Sequence, residues 1–197
     1  MRLIAEKLAL VRDGRLLFQG LGFAVGAGEA LAVTGPNGAG KSSLLRLIAG
    51  FLKPAEGRVA LEGGPDGAAA HFVGHLDGVK AALTAAENLD FMGAILGASG
   101  RDNAGALATL GIERLADLPA AMVSAGQKRR LALARLLVAP RPLWLLDEPL
   151  TALDAEGQKT FAALARKHLA GGGIVIAATH APLGITSERE LRLGDGA

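Results

Sequence analysis

The chain has 197 residues, which fits one domain with room for a modest insertion. Half of the residues are hydrophobic and 20% are charged, and the 21 basic and 19 acidic side chains leave a net charge of +2, which gives little field for holding nucleic acid although the pI of 9.2 does not forbid it. The chain has no Cys, which excludes disulfides, thiolate metal sites and a cysteine nucleophile.

The mean hydropathy of +0.34 raises the question of a membrane span. No apolar run approaches the roughly 18 residues that a crossing needs, because Arg135, Pro140, Arg141 and Pro142 interrupt the most apolar stretch, residues 131–146. The opening MRLIAEKLALVRDG sets charges inside its apolar pattern and does not read as a signal peptide. The apolar composition fits either an exposed patch for a partner or a core rich in Ala and Leu.

In chain order, residues 2–10 alternate loosely, Asp13-Gly14 marks a turn, and residues 16–25 resume a strand pattern. A strand at 30–34 runs into a Gly-rich turn, and residues 41–49 follow with helical spacing, Leu44, Leu45 and Ile48 on one face. Short strands are predicted at 58–61 and 71–73, separated by a Gly-rich turn at 63–67. The middle of the chain is helical, at 84–96, 104–110 and 126–138, and Thr84 with Glu87 has capping-box spacing. A strand at 143–146, a helix at 155–170 with Phe161, Leu164 and Ala165 inward, a buried strand at 174–179 and a last one at 190–193 complete the chain. A strand-rich start and an α/β end thus flank a helical insert, residues 76–135.

Gly35-Pro36-Asn37-Gly38-Ala39-Gly40-Lys41-Ser42 fits the phosphate-loop pattern G-x-x-x-x-G-K-[ST], with an apolar strand before it and a helix after it. Its glycines let backbone N–H groups turn inward onto phosphate oxygens, and the helix adds the positive end of its dipole. Lys41 can reach the β- and γ-phosphates, Ser42 can ligate Mg²⁺, and Ser43 follows in the same helix turn. The apolar strand Leu143-Trp144-Leu145-Leu146 ends in Asp147 and Glu148. Asp147 is placed for the Mg²⁺ water shell, and Glu148 can orient and deprotonate an attacking water. Trp144 reads as core. Ser124-Ala125-Gly126-Gln127 opens a helix, which makes either a second phosphate site or an ordinary Ser N-cap. His180 closes a strand, and on its own a lone His in that position is more often structural than functional.

Together these motifs resemble the ATP-binding cassette ATPases. The phosphate loop comes first, then the signature Ser124 to Gln127 (SAGQ where SGGQ is commoner), the LLDEP strand end, Thr151-Ala152-Leu153-Asp154 as the D-loop, and His180 as the switch histidine. The resemblance implies an α/β fold: a phosphate-loop NTPase with a RecA-like core, an N-terminal antiparallel β subdomain and an inserted α-helical subdomain. The whole chain, residues 1–197, is then one domain, with 1–75 and 136–197 as nucleotide-binding core and 76–135 as signature subdomain. It implies ATP and Mg²⁺ as ligands and an ATP-dependent head-to-tail homodimer. Ser124, Gly126 and Gln127 of one copy would then face the γ-phosphate held by the other. Glu148 would be the general base, His180 would hold the γ-phosphate and the water, and Asp154 would link the two sites. The position aligned with the family's adenine-stacking aromatic is Arg12, whose guanidinium can also stack on a ring. His75 stands where the family has a metal-sensing Gln.

The segments Val73-Gly74-His75, Leu83 to Leu89 and Ser124 to Arg130 resemble the cassettes of cytochrome c biogenesis, the ATP-binding subunits of a haem exporter. That likeness implies transmembrane partner subunits, a peripheral place on the cytoplasmic face of a bacterial inner membrane, and work on haem or a haem-bound chaperone. A cassette for another substrate is the alternative within the class. A soluble cassette ATPase acting on ribosomes or DNA is the alternative outside it.

Overall fold

The computed structural model describes residues 1–64, 70–75, 77–98, 101–186 and 188–194. In chain order the elements are β1 (Arg2–Arg12), β2 (Arg15–Gly26), β3 (Ala30–Thr34), α1 (Lys41–Ile48), β4 (Glu56–Glu62) and β5 (Ala70–Val73). The helices α2 (Ala85–Ile95), α3 (Asn103–Thr109) and α4 (Ala125–Val138) follow, with two 3₁₀ turns, Glu113–Leu115 and Ala120–Met122, before α4. Then come β6 (Leu143–Asp147), α5 (Ala155–Ala170), β7 (Ile174–Ala178) and β8 (Glu188–Arg192). Of the glycine-rich turn predicted at 63–67, residues 65–67 lie outside the described residues.

The N-terminal strands build an antiparallel sheet of order β2-β1-β4. Arg12 pairs with Arg15 across the two-residue turn Asp13-Gly14, where φ is +52° and +75°. Two positive φ values are what a type I′ turn requires, and its twist matches that of the strands it joins. The alternation along β1 is loose because the pairing shifts register between Ala5 and Leu8 and again before Leu10 and Val11. Leu8, Ala9 and Leu10 are buried in succession there.

The second sheet is parallel, of order β5-β6-β7-β3-β8. β6 and β7 are buried at every residue, as expected of parallel strands covered on both faces. Their alternate side chains feed two cores. Leu143, Leu145, Ile174 and Ile176 meet Leu44, Leu45 and Leu47 of α1 and the apolar face of β1 and β2. Trp144, Leu146, Val175 and Ala177 meet α4 and the Phe161, Ala165 and Leu169 face of α5. β8 spans Glu188–Arg192, where the apolar pattern places a strand at 190–193. It is an edge strand carrying mostly polar side chains, so backbone pairing to β3 sets its span and hydrophobicity does not.

In the helical segment, the capping box at α2 forms as the spacing predicts. Thr84 N donates to Glu87 Oε2 at 2.8 Å, and Glu87 N donates to Thr84 Oγ1 at 3.2 Å. Buried Asn88 staples the preceding turn, donating to the carbonyls of Lys80, Leu83 and Thr84 and accepting from Lys80 N. α4 runs unbroken past residue 135, so one helix belongs to both the helical layer and the core. The apolar composition is mostly internal, although Phe91, Ile95, Leu118 and Met122 stand exposed in the helical segment. Among the described residues no helix is long and apolar enough to cross a membrane.

Candidate functional site

Four neighbouring parallel strands deliver the candidate residues to one edge of the sheet. The carboxyl end of β3 leads into the phosphate loop, that of β5 into His75, that of β6 is Asp147 with Glu148 after it, and that of β7 leads through Thr179 to His180. Ligands of open α/β sheets bind at this edge. A cleft of about 350 Å³ opens there, lined by Arg12, Asn37, Lys41, Ser42, His75, Asp147, Glu148 and His180 among others. Leu17 also lines it.

The phosphate loop is shaped by glycines at positive φ, a conformation that other residues rarely adopt. At Gly35, φ is +130° and a Cβ would collide with the backbone carbonyl of Leu193 just past β8. Gly38, at φ +82°, faces open space, so the loop keeps a cradle that a side chain would fill. Lys41 is buried, and its Nζ donates to the carbonyls of Gly35 at 2.8 Å and Pro36 at 3.2 Å. Among the described residues it has no carboxylate partner, which leaves its charge for an anion in the cradle. Ser42 Oγ donates to Oδ1 of buried Asp147 at 2.9 Å. A hydroxyl and a carboxylate side by side, with space beside them, are hard oxygen donors of the kind that hold Mg²⁺ together with phosphates and water. The residues present therefore fit both a nucleoside triphosphate and its metal.

Glu148 is held in an unusual conformation. Its φ is +50°, which costs a non-glycine residue about 1–2 kcal/mol. Its N–H donates to Ala178 O at 2.8 Å, and its carbonyl accepts from Arg129 at 2.6 Å. Its side chain is mostly shielded, and Oε1 lies 3.5 Å from Nε2 of half-exposed His180. Arg12 donates to Ser43 Oγ at 3.4 Å and sits 3.6 Å from Asp13.

The signature residues do not join this cleft. Ser124, Gly126, Gln127 and Asp154 line a separate, polar hollow of about 650 Å³ with Arg130. Ser124 caps α4: its Oγ accepts from Gln127 N at 3.3 Å, while Gln127 Oε1 accepts from Ser124 N at 2.8 Å. A Cβ on Gly126 would lie 2.8 Å from the Ala152 carbonyl, so this helix start presses on the D-loop. Asp154 accepts from Gly157 N at 2.8 Å as the N-cap of α5 and pairs with Arg130. The Gly157 hydrogen bond and then Arg130 hold its carboxyl below the usual range. Trp144 is core as expected, stacked on His168 with centroids 3.9 Å apart.

Sequence reasoning missed Arg129, which reaches from α4 to the strand end below the cleft. The available signal was its place three and four residues before Ala132 and Leu133 on the buried face of α4. It also missed Leu17, on β2 of the hairpin that carries Arg12.

A phosphate loop, a carboxylate-terminated strand beside it and a separate signature helix define an ATP-binding cassette. The chain belongs to the ABC transporter family, whose model matches residues 18–151. It is 54% identical over 201 residues, covering all of both chains, to the cytochrome c biogenesis ATP-binding export protein CcmA of Nitrobacter winogradskyi. The protein of the same name from Bradyrhizobium diazoefficiens is 54% identical over 98% of both chains. Among solved structures, a putative ABC transporter ATP-binding protein from Pyrococcus furiosus superposes with a TM-score of 0.82 at 22% identity, over 97% of this chain and 98% of that one. An ATP-binding subunit of an ABC transporter gives 0.85 at 23% identity, over 98% and 88%. At that identity the likeness to solved structures shows the fold alone.

Proposed function

We propose that this chain hydrolyses ATP to drive an export step in cytochrome c biogenesis, working as a head-to-tail homodimer docked on transmembrane subunits at the cytoplasmic face of the inner membrane. The observation that carries the chemistry is the convergence of Lys41, Ser42, Asp147, Glu148 and His180 on one cleft. The export role rests on whole-length identity to proteins of that name, and haem or a haem-bound chaperone as cargo rests on the likeness of the motif segments.

In this reading residues 1–75 and 136–197 form the nucleotide-binding core and 76–135 the signature subdomain. Lys41 and the backbone of residues 35–43 bind the triphosphate, and Arg12 covers the adenine. Ser42 and Asp147 would hold Mg²⁺, which when bound neutralises charge on the phosphates. Glu148 Oε1 takes the proton of the attacking water, and His180, 3.5 Å away, orients that water and the γ-phosphate. Ser124, Gly126 and Gln127 of the second copy close over the cleft, and Asp154 lies at the seam between copies. Exposed Phe91, Ile95, Leu118 and Met122 supply apolar area for a membrane subunit, and the loop carrying His75 connects that surface to the cleft.

The test is genetic and biochemical together. Deletion of the gene in its own host should abolish covalently bound haem in c-type cytochromes, read by in-gel haem staining. The wild-type chain should restore it and the Glu148→Gln chain should not. Undiminished cytochromes c in the deletion strain would refute the export role, and full rescue by Glu148→Gln would refute the hydrolytic one.

A further inference from the structure

Arg129 is 3% exposed, and its guanidinium is surrounded by oxygen. Nε donates to Pro149 O at 3.2 Å, and one terminal nitrogen donates to Asp147 O at 2.7 Å and Glu148 O at 2.6 Å. The other donates to Gly74 O at 3.0 Å and to the carboxylate of Asp77. One side chain on the signature helix thus grips three consecutive carbonyls at the hydrolytic strand end and, on its other side, the loop that carries His75.

The backbone at both ends of this grip is strained. Glu148 at φ +50° and Asp77 at φ +50° are two of the five non-glycine residues with positive φ among those described, and Arg129 contacts both. Conformations of this kind persist when the surroundings over-determine them. A planar fork with donors on three nitrogens can do so; a single ammonium cannot span the same acceptors.

We infer that Arg129 is a positioning residue for hydrolysis: it fixes the backbone that aims the Glu148 carboxylate and locks that strand end to the His75 loop. Arg129 itself touches no substrate. The inference rests on the reading of Glu148 as the base.

The test compares Arg129→Lys, Asp77→Asn and Glu148→Gln in the full chain, measuring steady-state ATPase and direct binding of a fluorescent ATP analogue. Arg129→Lys should lower kcat by about 100-fold, the scale of a misaimed catalytic group, with nucleotide affinity changed by less than about threefold. Asp77→Asn keeps the buried guanidinium on its four carbonyls and loosens only the loop side. It should lower kcat by about 5-fold with affinity again kept, and it covers the case in which Arg129→Lys does not fold. Added to Glu148→Gln, Arg129→Lys should cause no further loss, because a misaimed base costs nothing once the base is gone. Parental kcat in a folded Arg129→Lys chain, or loss of affinity in step with kcat, overturns the inference while leaving the base intact. Parental turnover by Glu148→Gln overturns the base reading instead.

Discussion

At the scale of single residues, two side chains make separable predictions. Glu148→Gln keeps the shape and much of the hydrogen bonding of the carboxylate but cannot accept a proton. It should bind ATP with Mg²⁺ at near-parental affinity and lose about 10²- to 10⁴-fold in turnover, read by phosphate release. His71, on β5, is 2% exposed, and its Nε2 lies 2.6 Å from the Ala139 carbonyl, so that nitrogen is the donor. Burial pushes its pKa down to about 4 from an ordinary value of 6.5. The unfolded chain then binds the proton first as pH falls. The stability that neutral His71 confers is complete above about pH 6.5 and is lost progressively toward pH 4, up to about 3 kcal/mol. Urea unfolding of the parent should weaken steeply between pH 6.5 and 4. His71→Gln should start lower and show a shallower slope, and parallel slopes would remove His71 as the cause.

At the scale of elements, the two helix starts in the signature region use the same cap for different ends. Thr84 on α2 and Ser124 on α4 both close reciprocal capping boxes. Replacing either with Ala should cost about 1 kcal/mol of stability by denaturant titration. Only Ser124→Ala should also lower ATPase, because only Ser124 lines the signature hollow. Equal ATPase losses would make Ser124 a cap and nothing more. These starts were legible because a cap is a local pattern, and so were the phosphate loop and the buried strands β6 and β7, whose apolar runs need no partner to be recognised. The strand order β5-β6-β7-β3-β8 is non-sequential and leaves no local trace. Arg129 stands between Lys128 and Arg130, a run of cations that in sequence looks like one solvated face. Only packing on the strand end buries it, while Arg130 turns to Leu110 O and Asp154. Arg12 and His75 could be placed in the cleft from motif alignment, but the contact of Arg12 with Ser43 comes from how the hairpin sits on α1.

At the scale of the whole molecule, the division of the site is the dominant feature. The phosphate loop, Asp147, Glu148 and His180 line one cleft, and Ser124, Gly126, Gln127 and Asp154 line another. A helix N-terminus at the wall of a polar hollow, with Ser124, Gly126 and Gln127 among its lining residues, suits an anion. The chain's own phosphate loop lies at the other cleft, so in the proposed homodimer the anion would come from a second copy. Two chains related by a two-fold axis would each complete the other, with two nucleotides at the seam, and the triphosphate would be the larger part of the glue. With a net charge of +2, two copies have little long-range repulsion to overcome, and in the proposed homodimer hydrolysis would end the pairing. Glu148→Gln, which holds the triphosphate, should therefore sediment as a dimer with ATP and Mg²⁺ and as a monomer with ADP. Ser124→Arg, placing bulk and positive charge in the signature hollow, should keep nucleotide binding yet sediment as a monomer in both states. Equal mass for Glu148→Gln in ATP and ADP would count against nucleotide-bridged pairing, and a dimer of the Ser124→Arg, Glu148→Gln double variant would move the seam away from the signature helix.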